Sequence, residues 1–150
     1  MRLAAILLGL ALVGLVPAEA LSVEKVAIAT QAGPRVFHME VAADDATRAQ
    51  GLMHRTHLAR DAGMLFDFGK PQMVAFWMKD TPLPLDMLFV RSDGTISTIA
   101  ANAVPNSTAE ILSAEPVRAV IEIKGGAAQE MGIVPGDRVT ASIFPKSAAR

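Results

Sequence analysis

Leu85-Asp86-Met87-Leu88-Phe89-Val90-Arg91-Ser92-Asp93-Gly94-Thr95-Ile96-Ser97-Thr98-Ile99-Ala100-Ala101 contains two β-rich runs, 85–91 and 95–101, separated by Ser92-Asp93-Gly94. Asp-Gly between apolar runs is a strong hairpin signal, because the turn needs positive φ that Gly supplies without steric cost. Strand grammar continues on both sides. Upstream, Val74 to Lys79 reads as a strand, followed by the turn Thr81-Pro82-Leu83-Pro84. Met64, Phe66 and Phe68 alternate with Leu65 and Asp67 until Gly69-Lys70-Pro71 breaks the run. Downstream, residues 102–115 form a polar connection. In Val117 to Lys124, Val117, Ala119, Ile121 and Ile123 alternate with Arg118, Val120, Glu122 and Lys124, which predicts a half-buried strand.

The ends of the chain follow the same logic. Val23 to Thr30 and Arg35 to Ala42 form a hairpin around Ala32-Gly33-Pro34. Asp44 or Asp45 can cap a short helix in which Ala46, Ala49 and Met53 share helical spacing, with Gly51 as its left-handed C-terminal cap. Residues 55–63 are a loop. Gly125-Gly126 leads into a second short helix, Ala127 to Met131, closed by Gly132. Pro135-Gly136 suits a type II turn, Arg138 to Phe144 is a last strand, and the tail after Pro145 is frayed. Roughly seven or eight short strands with two short helices predict an α+β, mostly β fold. The expected architecture is a compact, closed or nearly closed antiparallel β-barrel-like sheet.

Residues 1–20 have the three-part grammar of a secretory signal peptide: Met1-Arg2, the apolar run Leu3–Val16, then Pro17 and Ala18-Glu19-Ala20. The run is short of the ~20 residues a spanning helix needs, and no later stretch is apolar enough to span. The chain is therefore expected to be exported, periplasmic or extracellular, as one β-rich domain over 21–150. Cleavage would remove Arg2 and Glu19, one charge of each sign, leaving the net charge at −1. That balance gives no electrostatic footprint for nucleic acid. With no cysteine, thiol chemistry, cysteine–zinc sites and iron–sulfur clusters are excluded.

One stretch breaks the strand rules: Phe76-Trp77-Met78-Lys79-Asp80-Thr81-Pro82-Leu83-Pro84-Leu85-Asp86-Met87, which holds the only Trp. Alternation puts Lys79 on the face of Trp77, and Asp86 on the face of Leu88 and Val90. An unpaired buried charge is costly, so Lys79 and Asp86 are expected to pair across the turn or to face a pocket together. Two prolines hold Asp80 and Thr81 in place, and rigid polar groups beside an exposed aromatic make a plausible ligand edge. The structural alternative has Asp86 accepting backbone amides while Trp77 fills the core. A separate group is Met53, His54 and His57, followed by Met64, Met73, Met78 and Met87. Thioether and imidazole suit cuprous copper, but Met at regular strand positions is ordinary core filler, so no metal and no cofactor is expected. Catalytic motifs such as Gly-x-Ser-x-Gly, His-Glu-x-x-His and a phosphate loop are absent.

Gly51-Leu52-Met53-x-Arg55, Gly63-Met64-Leu65-Phe66-x-Phe68 and Phe76-Trp77-Met78-Lys79-x-Thr81-x-x-Pro84-Leu85-Asp86-Met87 occur in that order. With Asp93-Gly94, Asn102-Ala103-x-Pro105, Glu122 and Gly136-Asp137, they resemble the bacterial and archaeal family called domain of unknown function 192, over about residues 35–144. The resemblance implies a compact β-barrel-like α+β domain, often exported, and implies no established function. It adds Arg55, Asn102 and Glu122 to the candidate positions. Asp80 departs from the family's usual Asn, replacing an amide donor by an anion.

The leading functional reading is a non-catalytic binding or accessory domain of the cell envelope. Its small ligand or envelope protein partner would meet Arg55, Trp77, Lys79, Asp80, Thr81, Asp86, Asn102 and Glu122. The alternatives are a hydrolase-type enzyme, with Asp86 or Asp80 as acid or base and Lys79 or Arg55 holding an anionic group, and a periplasmic copper-binding protein using His and Met.

Overall fold

The computed structural model describes residues 20–145. The segment expected to be a signal peptide, apart from Ala20, and the tail 146–150 lie outside the described residues. The chain runs β1 (Val23–Thr30), β2 (Gly33–Ala42), α1 (Asp45–Gln50), β3 (Ala62–Gln72), β4 (Ala75–Phe76) and β5 (Leu85–Val90). It continues through β6 (Ile96–Ala103), β7 (Ile111–Leu112), β8 (Val117–Lys124), α2 (Ala127–Met131) and β9 (Arg138–Thr140).

Seven strands form one sheet in the order β6-β5-β8-β3-β2-β1-β9. All neighbours are antiparallel except β2 and β3, which run parallel because α1 and the loop after it carry the chain back across the sheet. This is the one departure from the expected antiparallel pattern. The sheet curls until its two edge strands meet. Thr95 bridges Arg138, and the amides of Ile96 and Val139 donate to the carbonyls of Asp137 and Gly94 at 2.9 and 2.8 Å. Gly94 is needed here twice over. Its φ is 87°, and a Cβ would lie 2.7 Å from the Val139 carbonyl oxygen.

Both faces of the central strands are covered. Phe37, Met39, Leu65, Leu88, Ile121 and Ile123 fill the concave interior. On the convex face of β3, β5 and β8, a second apolar layer of Met64, Phe66, Met87, Phe89 and Val120 is roofed by Leu52, Leu58, Val74 and Met78. All six residues of β5 are buried, which explains its continuous apolar run. Burying one apolar side chain is worth about 1.5–3 kcal/mol, so two such layers stabilise a cysteine-free domain.

Local rules held at α1 and α2. Asp44 caps α1 through the Thr47 amide at 2.9 Å, and Gly132 closes α2 in the left-handed region. Five expectations are corrected. The strand expected over Val74 to Lys79 is only the two-residue β4, Ala75–Phe76. Gly51 has φ 49° but ψ −135°, so it is not a left-handed cap. It is instead a close crossing, where a Cβ would sit 3.2 Å from Phe66. The strand of Met64 to Phe68 runs on to Gln72 through a register shift rather than stopping at Gly69. The polar connection contains β7, which pairs with β4 as a separate ribbon. The last strand ends at Thr140, with Ser142 held through its amide by Glu24.

Candidate functional site

The alternation of β8 places Ala119, Ile121 and Ile123 in the barrel and Val120 and Glu122 on the convex face. Pairing then fixes the neighbours of Glu122. Met64 of β3 stands opposite it on one side and Met87 of β5 on the other, both fully buried. Glu122 is itself only 4% exposed. Among the described residues its carboxyl has no ion-pair partner, because its cross-strand neighbours are thioethers. Burial pushes its pKa from 4.5 up to about 8. At neutral pH the group is therefore mostly the uncharged acid.

This carboxyl lines a cavity of about 370 Å³ between the convex face and the segments above it. Phe66, Phe68 and Phe76 form the walls and Trp77 the mouth. Phe76 stands edge-on to Phe66 and Phe68, with ring centroids 5.0 and 6.2 Å apart. Arg48 closes one side. Its guanidinium lies 5.5 Å from the centre of the Phe68 ring and donates to the carbonyls of Ala43 and Asp67, and to Asp45 at 2.7 Å.

Two loops supply the upper wall and are latched to each other. The amide of His54 donates to the Asp80 carbonyl at 2.7 Å, and both residues have positive φ, 63° and 52°. Thr81, 5% exposed, pins the turn through its hydroxyl, which donates to the Lys79 carbonyl, and through its amide, which donates to that of Met78. Its carbonyl accepts from Asn106. The left-handed backbone explains residue 80. Asn and Asp are the non-glycine residues most tolerant of this region, so the position selects for conformation and an anion there is compatible with the fold.

The eight sequence-derived positions separate into three groups. Trp77, Thr81 and Glu122 line the cavity. Asp86 and Asn102 belong to a different junction, on the concave side. Asp86 is fully buried, and its carboxylate accepts the amides of Asn102 at 2.8 Å, Gly126 at 3.0 Å and Ala128 at 2.9 Å. Gly126 begins α2 and brings no capping side chain, so a strand distant in sequence caps the helix. Asn102 reaches Asp86 through its backbone amide, at φ 50°. Arg55, Lys79 and Asp80 join neither group. Arg55 makes a two-pronged pair with Glu40 at 2.9 and 2.6 Å beside a separate depression. Asp80 is exposed on its turn.

The expected Lys79–Asp86 pair does not form. Lys79 is exposed and lies 5.3 Å from the Trp77 ring centre, while backbone amides surround Asp86 on the opposite face of the sheet. A hydrolase built on Asp86 loses its acid, because three amides hold both carboxylate oxygens. The sulfur and imidazole groups are also separated by environment: His54 and His57 are exposed, whereas Met64, Met78 and Met87 are buried in the convex layer. Among the described residues, no three His, Cys, Asp or Glu side chains converge as metal ligands. No helix among them is long and apolar enough to cross a membrane.

Sequence reasoning missed Phe66, Phe68 and Arg48 as parts of the site. The alternation of Met64, Phe66 and Phe68 put them on one face, but only the β3–β8 register shows that Glu122 shares it.

A family model described as DUF192, Uncharacterized ACR, COG1430, matches residues 26–141. A Sinorhizobium meliloti 1021 protein described as a "putative transcription regulator" is 48% identical, with 83% of this chain and 98% of that one covered, at a TM-score of 0.81. A protein of unknown function from Novosphingobium aromaticivorans DSM 12444 is 43% identical, with 83% and 89% covered, at a TM-score of 0.80. No curated protein matches the chain. The matched span takes in the curled sheet except the first three residues of β1, together with the Glu122 cavity and the Asp86 junction, and the chain belongs to the DUF192 family.

Proposed function

We propose that this protein is an exported binding module of the cell envelope whose ligand enters the aromatic cavity above Glu122. The observation that carries the reading is a carboxyl only 4% exposed that has no hydrogen-bond or ion-pair partner among the described residues and opens onto a cavity walled by Phe66, Phe68 and Phe76. Native folds rarely retain a buried ionisable group that nothing satisfies. A concave apolar site with one or two convergent polar groups is the usual form of a small-molecule pocket. The volume lies at the lower end of the range for such pockets. The proposed export rests on the signal-like segment 1–20. The description of the Sinorhizobium relative would suggest a nucleic-acid partner, but a net charge of −1 gives that reading little electrostatic support.

Trp77 is the only tryptophan and stands at the mouth, so its fluorescence reports occupancy. A library of small aromatic and alkyl fragments, screened by Trp77 emission and mapped by amide chemical shifts, tests the reading. Hits should cluster on β3, β8 and the Trp77 turn. Hits that all map elsewhere, or no hits at all, would overturn it. Intact mass of the protein recovered from the periplasm should begin at Leu21.

A further inference from the structure

The character of the cavity restricts what could occupy it. An anionic ligand needs an uncommitted donor or cation. Among the described residues Arg48 is the only cation on the wall, and its guanidinium is already engaged by two carbonyls and Asp45. The Thr81 hydroxyl is donated to the Lys79 carbonyl. Gln50 offers one neutral amide and Asp45 a second acid; the remaining walls are mainly aromatic and aliphatic carbon, and the buried polar group at the base is an acid. Ring faces attract cations electrostatically within about 6 Å of their centres. Two rings of this cavity already do so within the protein, Phe68 beneath Arg48 and Trp77 beneath Lys79.

Resting on the reading of this cavity as a ligand site, we propose that it takes a small organic ammonium ion. The cation's alkyl groups lie between Phe66, Phe68, Phe76 and Trp77, and its charge lies against the Glu122 carboxylate. The ligand supplies the counter-charge that the fold withholds from Glu122. An ammonium ion shielded by alkyl groups loses less hydration on entry than a bare one, and aromatic walls with one carboxylate are the recurring way such ions are held. Binding also carries a proton signature. Glu122 is mostly protonated at pH 7 and must ionise to meet the cation, so binding releases close to one proton. The other charged groups around the cavity have partners within the protein. α1 contributes Asp45 and Arg48, which pair with each other; Met64 and Met87 stand opposite Glu122 on the flanking strands; and Arg118, earlier on β8, is paired with Asp67.

The test uses choline chloride and its neutral isostere 3,3-dimethyl-1-butanol, titrated into the mature protein and followed by Trp77 emission and by calorimetry in two buffers of different protonation enthalpy. Choline should bind at least about tenfold more tightly than the isostere and release a proton. Glu122→Gln has the shape of the neutral acid and introduces no buried charge, so the variant should fold. It should abolish both the preference for choline and the proton release while leaving the isostere's affinity within about twofold. A lipid headgroup carries the same chemistry. Phosphatidylcholine vesicles should fail to sediment the protein, because a site beneath the Trp77 loop admits a free ion more readily than a headgroup in a bilayer. Equal binding of choline and isostere overturns the ammonium proposal and leaves the cavity reading standing. Preferred capture by vesicles overturns the free-ion source. If choline fails to bind, the proposal is wrong; if the fragment library fails as well, the cavity reading falls with it.

Discussion

Asp86 and Glu122 are both buried acids on adjacent strands of the same sheet, and the protein treats them in opposite ways. Asp86 points to the concave side and accepts three backbone amides. Glu122 points to the convex side, between two methionines and beneath aromatic rings, and has no such donors among the described residues. The first arrangement is what a fold does with a buried carboxylate when it needs one. It ties the start of α2 and the Asn102 turn to β5. The second arrangement has a cost and no structural return, because burial raises the pKa and the ionised form is penalised. The contrast separates a carboxylate that holds the fold from one that the fold keeps available.

The largest expected effect lies at Asp86. Asp86→Ala strands three backbone donors, each costing about 1–3 kcal/mol where water cannot replace the acceptor. Loss of stability in urea should reach about 3–5 kcal/mol, with Asp86→Asn losing less because one oxygen remains. Lys79→Met should neither lower stability much nor rescue Asp86→Ala, since the two groups do not touch. A coupling energy above about 0.5 kcal/mol in the double-mutant cycle would mean that the pair forms in solution after all. A stability unchanged in Asp86→Ala would erase the contrast altogether.

The next effect is the pH dependence at Glu122. Its native pKa is about 8 against 4.5 for an ordinary glutamate. Below pH 4.5 both folded and unfolded chains hold the proton. Between 4.5 and about 8 the native state binds more protons than the unfolded state, so stability falls as pH rises. Above that window the loss is complete, having grown by roughly 1.4 kcal/mol for each pH unit crossed. Denaturant midpoints measured from pH 5 to 9 should therefore decline in the wild type. Glu122→Gln should flatten the part due to this group and be the more stable protein at pH 8.5. Identical pH profiles for the two proteins would show that Glu122 has a partner that lowers its pKa.

The smallest effect is at Asp80, a surface residue in the left-handed region. Asp80→Asn should change stability by less than about 0.5 kcal/mol and leave the Trp77 emission unaltered, because both residues tolerate the conformation. A shift in Trp77 emission would show that the charge at the latch helps to set the cavity mouth.

The strands of the main sheet, the two helices and the barrel-like curl were legible in the chain itself; the β4–β7 ribbon was not. They rest on local physics: period-two alternation in β8, Asp93-Gly94 between apolar runs, Asp44 ahead of α1, Gly132 behind α2. The stretch Trp77–Asp86 was also visible as an anomaly, since it set charges on apolar faces. What sequence could not decide is which strand lies beside which. Lys79 and Asp86 are close along the chain, yet the Pro-rich turn and the sheet send them to different faces. Glu122 looks like the polar member of an ordinary amphipathic strand until β3 and β5 flank it with Met64 and Met87, and distant loops fold over that face to leave it only 4% exposed. Alternation gives the face of a side chain relative to its own strand. Whether that face meets solvent, a helix end or an aromatic cavity depends on contacts between residues far apart in sequence, and so one acid, Asp86, became a cap while another, Glu122, has no partner among the described residues.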